Sequence, residues 1–122
     1  MQEKRARHHK ISYIEFAASD LQATKEFFNK VFGWEFNDYG PDYTAYEGRG
    51  IDCGFYQSPL SSSTENGAAL PVFFSENLEE SERRIIKAGG TIVRDIFPFP
   101  GGRRFEFTEP SGNQLAVWGE EE

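Results

Sequence analysis

Two stretches of equal length decide how this chain is organised: DLQATKEFFNKVFG at residues 20–33 and NLEESERRIIKAGG at residues 77–90. Both open on a short polar residue followed by Leu, continue with helical periodicity and close on Gly, offset by 57 residues. In the first, Leu21, Phe28, Val31 and Phe32 form one apolar stripe, with Lys25, Glu26, Asn29 and Lys30 elsewhere. Ser19 followed by Gln22 has the spacing of a capping box, and Gly33 can stop the helix in a left-handed conformation. In the second, Leu78, Ile85 and Ile86 form the stripe, Glu79, Glu82 and Arg83 lie outside it, and Asn77 caps with Glu80 in support. Gly89-Gly90 ends it.

Outward from the helices the same order repeats. A strand precedes each helix, Ile11 to Ala18 and Ala69 to Phe74. Three strands follow the first, Trp34–Tyr39, Tyr43–Glu47 and Ile51–Gln57, parted by Gly40-Pro41 and Gly48-Arg49-Gly50. Three follow the second, Thr91–Phe97, Arg103–Thr108 and Gln114–Trp118, with turns at 98–102 and 109–113. A polar linker, Ser58 to Gly67, lies between the halves. The fold class expected is α+β: tandem βαβββ modules forming curved, mostly antiparallel sheets around a cup, with the helices outside. The boundaries are 1–10 for a flexible N-terminal arm, 11–57 and 69–119 for the modules, and 58–68 for the linker.

A chain of 122 residues suits one domain with a modest core, and its 12 Phe make that core aromatic. The net charge of −7 argues against nucleic acid and anionic membranes as partners, because both require a basic surface. Lys4, Arg5, Arg7 and Lys10 form the only basic cluster, beside His8 and His9. No apolar run approaches the roughly 18 residues of a membrane span, and no apolar segment follows the N-terminal charges as in a secretory signal. A single cysteine, Cys53, forms no intrachain disulfide and fits a reducing compartment, so a cytoplasmic location is expected.

Strand alternation separates two faces. Ile14 and Phe16, then Ile51, Cys53 and Phe55, then Phe105 and Phe107, then Leu115 and Val117 form the helix-facing side. The other side carries Tyr13, Glu15, Asp52, Tyr56, Arg104, Glu106, Gln114 and Trp118. If the sheets curl, this mixed face lines a concave surface, and an apolar cavity with a few directed polar groups suits a small-molecule ligand. A solvated sheet face would show the same mixture.

The tandem order resembles the vicinal oxygen chelate superfamily, the glyoxalase, bleomycin-resistance and dioxygenase proteins. Three stretches carry the likeness: Ile14-Glu-Phe-Ala-Ala-Ser-Asp-Leu21, Phe27-Phe-Asn-Lys-Val-Phe-Gly-Trp-Glu-Phe36 and Glu109-Pro-Ser-Gly-Asn-Gln-Leu-Ala-Val-Trp118. Together with the Pro100-Gly-Gly-Arg-Arg-Phe segment, they are most similar to small proteins related to lactoylglutathione lyase. The resemblance implies metal ligands at equivalent points of both modules. Here those positions hold Tyr13, Gly54, Leu70 and Ala116, which supply no imidazole and no carboxylate. No cofactor and no metal of the usual kind are expected, because a divalent centre needs several N or O ligands converging on one point. A displaced set of Glu15, Asp52, Glu106 and Gln114 is the alternative.

Glu15 stands out, since a carboxylate inside an apolar strand needs a partner or a shifted pKa. It and Glu106 are the candidate catalytic carboxylates, as general base or ligand anchor. The competing role for Glu15 is a structural ion pair with Arg104. Arg103-Arg104 could clamp an anion, and Tyr13, Tyr56, Phe74 and Trp118 could stack on a planar ligand. Asp52, Arg104 and Gln114 complete the binding candidates. Cys53, on the helix-facing side, is expected to be buried and inert. The function expected is binding of a small aromatic or cationic molecule in a metal-free cup. The alternative is a lyase or isomerase using Glu15, Asp52 and Glu106, with or without a divalent metal. The resemblance implies a homodimer in either case.

Overall fold

The computed structural model describes residues 6–120. The first five residues of the expected N-terminal arm lie outside that range. The chain runs through β1 (Tyr13–Ala18), α1 (Leu21–Phe32), β2 (Phe36–Asp38), β3 (Tyr43–Tyr46) and β4 (Asp52–Gln57). It continues through β5 (Val72–Phe74), α2 (Leu78–Lys87), β6 (Thr91–Phe99), β7 (Gly102–Thr108) and β8 (Gln114–Gly119). This is βαβββ twice over. It forms two four-stranded sheets, ordered β1-β4-β3-β2 (sheet A) and β5-β8-β7-β6 (sheet B), which do not close into a barrel. In each, the first strand pairs parallel with the last strand of its module, β1 with β4 and β5 with β8, and the other pairings are antiparallel. A parallel neighbour requires a crossover, which the helix supplies.

Helix α1 starts one residue later than a Ser19 cap would put it. Asp20 is the cap, its carboxylate accepting the Ala23 amide at 3.0 Å, which quenches a free donor at the helix start. Gln22 donates instead to Glu26. Gly33 ends the helix at φ 73° as expected. Its buried stripe, Thr24, Phe27, Phe28 and Val31, is wider than periodicity suggested because α1 touches both sheets. Phe28 packs on Phe55 of sheet A and Phe27 on Phe107 of sheet B. In α2, Asn77 caps as expected, accepting the Glu80 amide, and Leu78 and Ile85 are buried. Ile86, placed on the same stripe from the sequence, is 54% exposed. Leu78 and Ile85, seven residues apart, are the α2 side chains buried in the core, while Ser81 and Glu82 are half-buried and Arg84 reaches the Lys30 carbonyl of α1.

One core serves both modules: Phe16, Phe27, Phe28 and Phe55 join Leu78, Ile85, Phe105, Phe107, Leu115 and Val117. Polar groups close the joint between modules. Asn113, fully buried, donates to the Ala17 carbonyl at 2.7 Å and accepts from Ser62 of the linker. Glu109 accepts from Thr24 of α1 at 2.7 Å, and Ser111 both accepts from and donates to the Asp20 backbone. The Glu109-Pro-Ser-Gly-Asn113 turn is thus a clamp on the β1–α1 corner.

Several strand ends differ from the expectation: β1 begins at Tyr13 rather than Ile11, β2 is only Phe36–Asp38, and β4 begins at Asp52 rather than Ile51. β5 begins at Val72, after Pro71, rather than at Ala69. β6 runs through Pro98 to Phe99, so the turn is only Pro100-Gly101, closed by the Phe99–Gly102 pair. Proline is tolerated there because β6 is the outer strand of sheet B and has no neighbour beyond it.

Candidate functional site

On sheet A a row of three residues crosses the face turned away from the helices, the one expected to be concave. Glu15 of β1 sits opposite Gly54 of β4, which sits opposite Ala45 of β3. Gly54 and Ala45 leave a hollow that flanking tyrosines fill. A Cβ at position 54 would lie 2.0 Å from Tyr43 Oη and 2.3 Å from Tyr13 Oη, so only glycine admits both hydroxyls. Tyr43 donates its proton to Glu15 Oε2 at 2.9 Å. A phenol has one proton to give, so in the Tyr13–Tyr43 hydroxyl contact Tyr13 is the donor. The result is a directed chain from Tyr13 through Tyr43 to the Glu15 carboxylate. Burial first, then the hydrogen bonds to Tyr13 and Glu15, raise the Tyr43 pKa far above the usual phenol range, so it stays a donor.

Glu15 therefore finds its partner in Tyr43, and the ion pair expected with Arg104 is not formed. Arg104 pairs with Glu106 on its own strand, Nη2 to Oε2 at 2.9 Å. The other Glu106 oxygen accepts from Gln114 Nε2 at 3.1 Å, and Gln114 Oε1 accepts from the Thr64 amide and hydroxyl of the linker. Glu106 is 8% exposed with both oxygens engaged. Phe97 lies beside this group, 3.6 Å from Arg94 Cζ and 5.4 Å from Arg104 Cζ. Trp118 packs between Phe74 at 4.9 Å and Phe99 at 6.2 Å. Arg103, on the helix-facing side of β7, grips Glu79 of α2 through Nη1 and Nη2, so the two arginines do not form one clamp.

The sequence candidates thus separate into two groups. Tyr13, Glu15, Asp52 and Tyr56 share the concave face of sheet A; Arg104, Glu106, Gln114, Trp118 and Phe74 belong to sheet B. Among the described residues none of the hydrogen bonds and ring contacts just described joins one sheet to the other, and the strands of the two sheets form separate ladders. Sequence reasoning missed Tyr43. Its strand was found, but neither pattern nor spacing says that it lies opposite Tyr56 and next to the Gly54 hollow. Tyr43 and Tyr56 on adjacent strands, with Gly at 54, is the signal that points to it.

The donors at the family's ligand positions do not match a divalent metal centre of the usual kind. Phenols and one carboxylate meet over Gly54, Leu70 is half-buried ahead of β5, and Ala116 is fully buried opposite Val72 and Glu106. Among the described residues, no three His, Cys, Asp or Glu side chains converge. The displaced set is divided, with Glu15 and Asp52 on one sheet and Glu106 and Gln114 on the other.

Cys53 faces the helix side as expected and is 7% exposed. Burial, with the nearby Asp52 charge adding to it, pushes its thiol up from 9.0 to about 12. Iodoacetamide at pH 8 is expected to leave Cys53 intact in the folded protein and to alkylate it fully in urea, as read by mass spectrometry. An acid whose folded pKa is raised favours folding below its unfolded pKa, so this contribution is lost as pH climbs from 9.0 towards about 12.

A family model described as the Glyoxalase/Bleomycin resistance protein/Dioxygenase superfamily matches residues 10–117. Among solved structures, a glyoxalase-related enzyme from Fulvimarina pelagi superposes with TM-score 0.77 at 18% identity, covering 93% of this chain and 89% of that one. A glyoxalase/bleomycin resistance protein/dioxygenase family enzyme from Burkholderia phytofirmans PsJN gives 0.76 at 16% identity, over 90% and 98%. A glyoxalase/bleomycin resistance protein from Albidiferax ferrireducens T118 gives 0.69 at 15% identity, over 89% and 97%. These likenesses establish the fold. A search of curated proteins returns no match. With the tandem modules and the family model in agreement, the chain belongs to the Glyoxalase/Bleomycin resistance protein/Dioxygenase superfamily.

Proposed function

We propose that this protein binds a small aromatic cation on its concave face without a metal, as a sequestering protein of the bleomycin-resistance kind. The observation that carries the reading is the Tyr13–Tyr43–Glu15 chain over Gly54. It holds a carboxylate amid exposed tyrosine rings, Tyr13 at 41% and Tyr56 at 39% exposure, on a protein of net charge −7. Aromatic faces and a fixed carboxylate are what a desolvated organic cation needs. Tyr13, Asp52 and Tyr56 would form the ligand's first surface. Phe74, Arg104, Gln114 and Trp118 would belong to the second.

The second surface is best supplied by another copy. β1 and β5 are both edge strands, and Tyr13, Val72 and Phe74 are exposed along them. Beyond the ligand's Glu15 sheet A carries Asp52, whereas beyond the Arg104–Glu106 pair sheet B carries the exposed Arg94, so sheet A of one chain complements sheet B of a second. A homodimer in a reducing, cytoplasmic setting fits this arrangement and the single buried cysteine.

Calorimetric titration with benzyltrimethylammonium tests the reading against the neutral isostere neopentylbenzene and the anion benzylphosphonate. The cation is expected to bind best. Glu15→Gln should weaken it about tenfold, roughly 1.4 kcal/mol, and Gly54→Val, which evicts both hydroxyls, should abolish it. Equal affinity for the three probes, or an unchanged Glu15→Gln, defeats the proposal.

The same chain favours one other reading, a lyase or isomerase in which Glu15 takes a proton from a bound substrate while Tyr43 holds the carboxylate in place. Glu106, with both oxygens engaged, is the weaker of the two candidate carboxylates. A stoichiometric divalent metal in untagged protein, lost on Glu15→Ala, would favour the displaced-ligand form of this alternative.

A further inference from the structure

A separate cleft of about 360 Å³ opens on the other side of sheet A, where β1 and β4 approach β5. Its lining includes Ile14, Trp34, Cys53, Val72 and Phe73, with Arg49 the only charged residue among the described residues that line it. The walls are prearranged. A Cβ at Gly48 would meet Tyr46 Oη at 2.2 Å, so glycine there lets the Tyr46 ring fold back over the loop. Tyr46 then stacks on Trp34 at 4.2 Å with the rings 1° from parallel, and Phe28 supports Trp34 at 4.8 Å. Phe73, 4.1 Å from Phe32, fixes β5 as the facing wall. Val72 and Ile51 are 43% and 41% exposed at this cleft. Ile51 was expected to face the helices with Cys53, but β4 begins only at Asp52 and leaves it at the opening.

The size falls within the range of small-ligand pockets, about 300–1,000 Å³, which are largely apolar with a few placed polar groups. Arg49 is exposed, stands between Gly48 and Gly50, and has no carboxylate partner among the described residues. An apolar body inside and one guanidinium at the edge define the complement: an apolar chain or ring bearing a single carboxylate, which arginine engages in bidentate geometry. We infer that this cleft is a second binding site, on the opposite side of sheet A from the concave face, for a small apolar monocarboxylate. Its ligand is opposite in charge to the one proposed for the concave face, so the two sites are distinguishable by chemistry.

The test uses the Trp118→Phe variant, which leaves Trp34 as the sole tryptophan of the 2 in the chain. Titrating octanoate should change Trp34 emission saturably, and octanol should bind about tenfold more weakly. In methyl-labelled protein the Ile14 and Ile51 signals should move while Ile85, buried in the core, does not. Arg49→Gln, an exposed substitution, should erase the preference for octanoate over octanol and leave the fold intact. Equal binding of acid and alcohol overturns the inference. So does a response lost in Gly54→Val but kept in Arg49→Gln, which would put the ligand on the concave face. A cleft that responds only once the protein is diluted to monomer is covered by a second copy, and that result overturns it too.

Discussion

Replacing Glu109 with alanine is expected to cost about 3–5 kcal/mol, because it breaks a buried hydrogen-bond network in which one carboxyl serves several donors at once. Glu109 is 2% exposed and accepts from Thr24 Oγ1, the Ser111 amide, the Asn113 amide and Asn113 Nδ2. Removing the acceptor strands these donors in a space that water does not reach, and each orphaned group costs about 1–3 kcal/mol. The effect is large against a total stability of roughly 5–15 kcal/mol for a domain. Urea denaturation followed by circular dichroism measures it, and Glu109→Gln, which keeps the shape but turns one acceptor into a donor, should lose about half as much. A cycle with Thr24→Val isolates the contact that crosses between modules, and coupling below about 0.5 kcal/mol would mean that the turn holds only itself.

Phe28→Ala is the second large effect, also about 3–5 kcal/mol, the usual loss for an aromatic removed from a core. Phe28 is fully buried and its ring meets Phe27, Phe32, Trp34 and Phe55. Because α1 bears on both sheets, the cavity would lie where the modules share their core, with little chance to collapse. A loss below about 1.5 kcal/mol in the same denaturation assay would show that the neighbouring rings refill the space.

Helical periodicity and the 57-residue offset made the module order legible. Alternation assigned Tyr13, Glu15, Asp52, Tyr56, Arg104, Glu106, Gln114 and Trp118 to the side away from the core. Period-2 patterning says which way a residue points and nothing about which strands sit together. It could not place Tyr43 beside Glu15, nor separate the sheet A group from the sheet B group. Ser19 and Asp20 are adjacent cap formers, and sequence spacing favoured the first while the carboxylate reach of the second won. Pro98 read as a turn because its strand position could not be known, and only an outermost strand accepts it. Ile86 and Ile51 were assigned by pattern to buried faces, yet Ile51 lies just ahead of β4, and Ile86 sits on an exposed side of α2 beside the buried Ile85.

The proline in β6 also governs how these molecules can meet. Phe99 and Gly102 close the hairpin, so the neighbouring Pro98 nitrogen turns away from β7, at the outer rim of sheet B. A strand arriving there finds a missing amide and, further along, the register shifts between Ile92 and Phe97. That rim is closed to growth by strand addition. The edges that remain are β1, β5 and the three-residue β2, and a second copy that paired across β1 and β5 would form a closed particle rather than extend sheet B outward from β6.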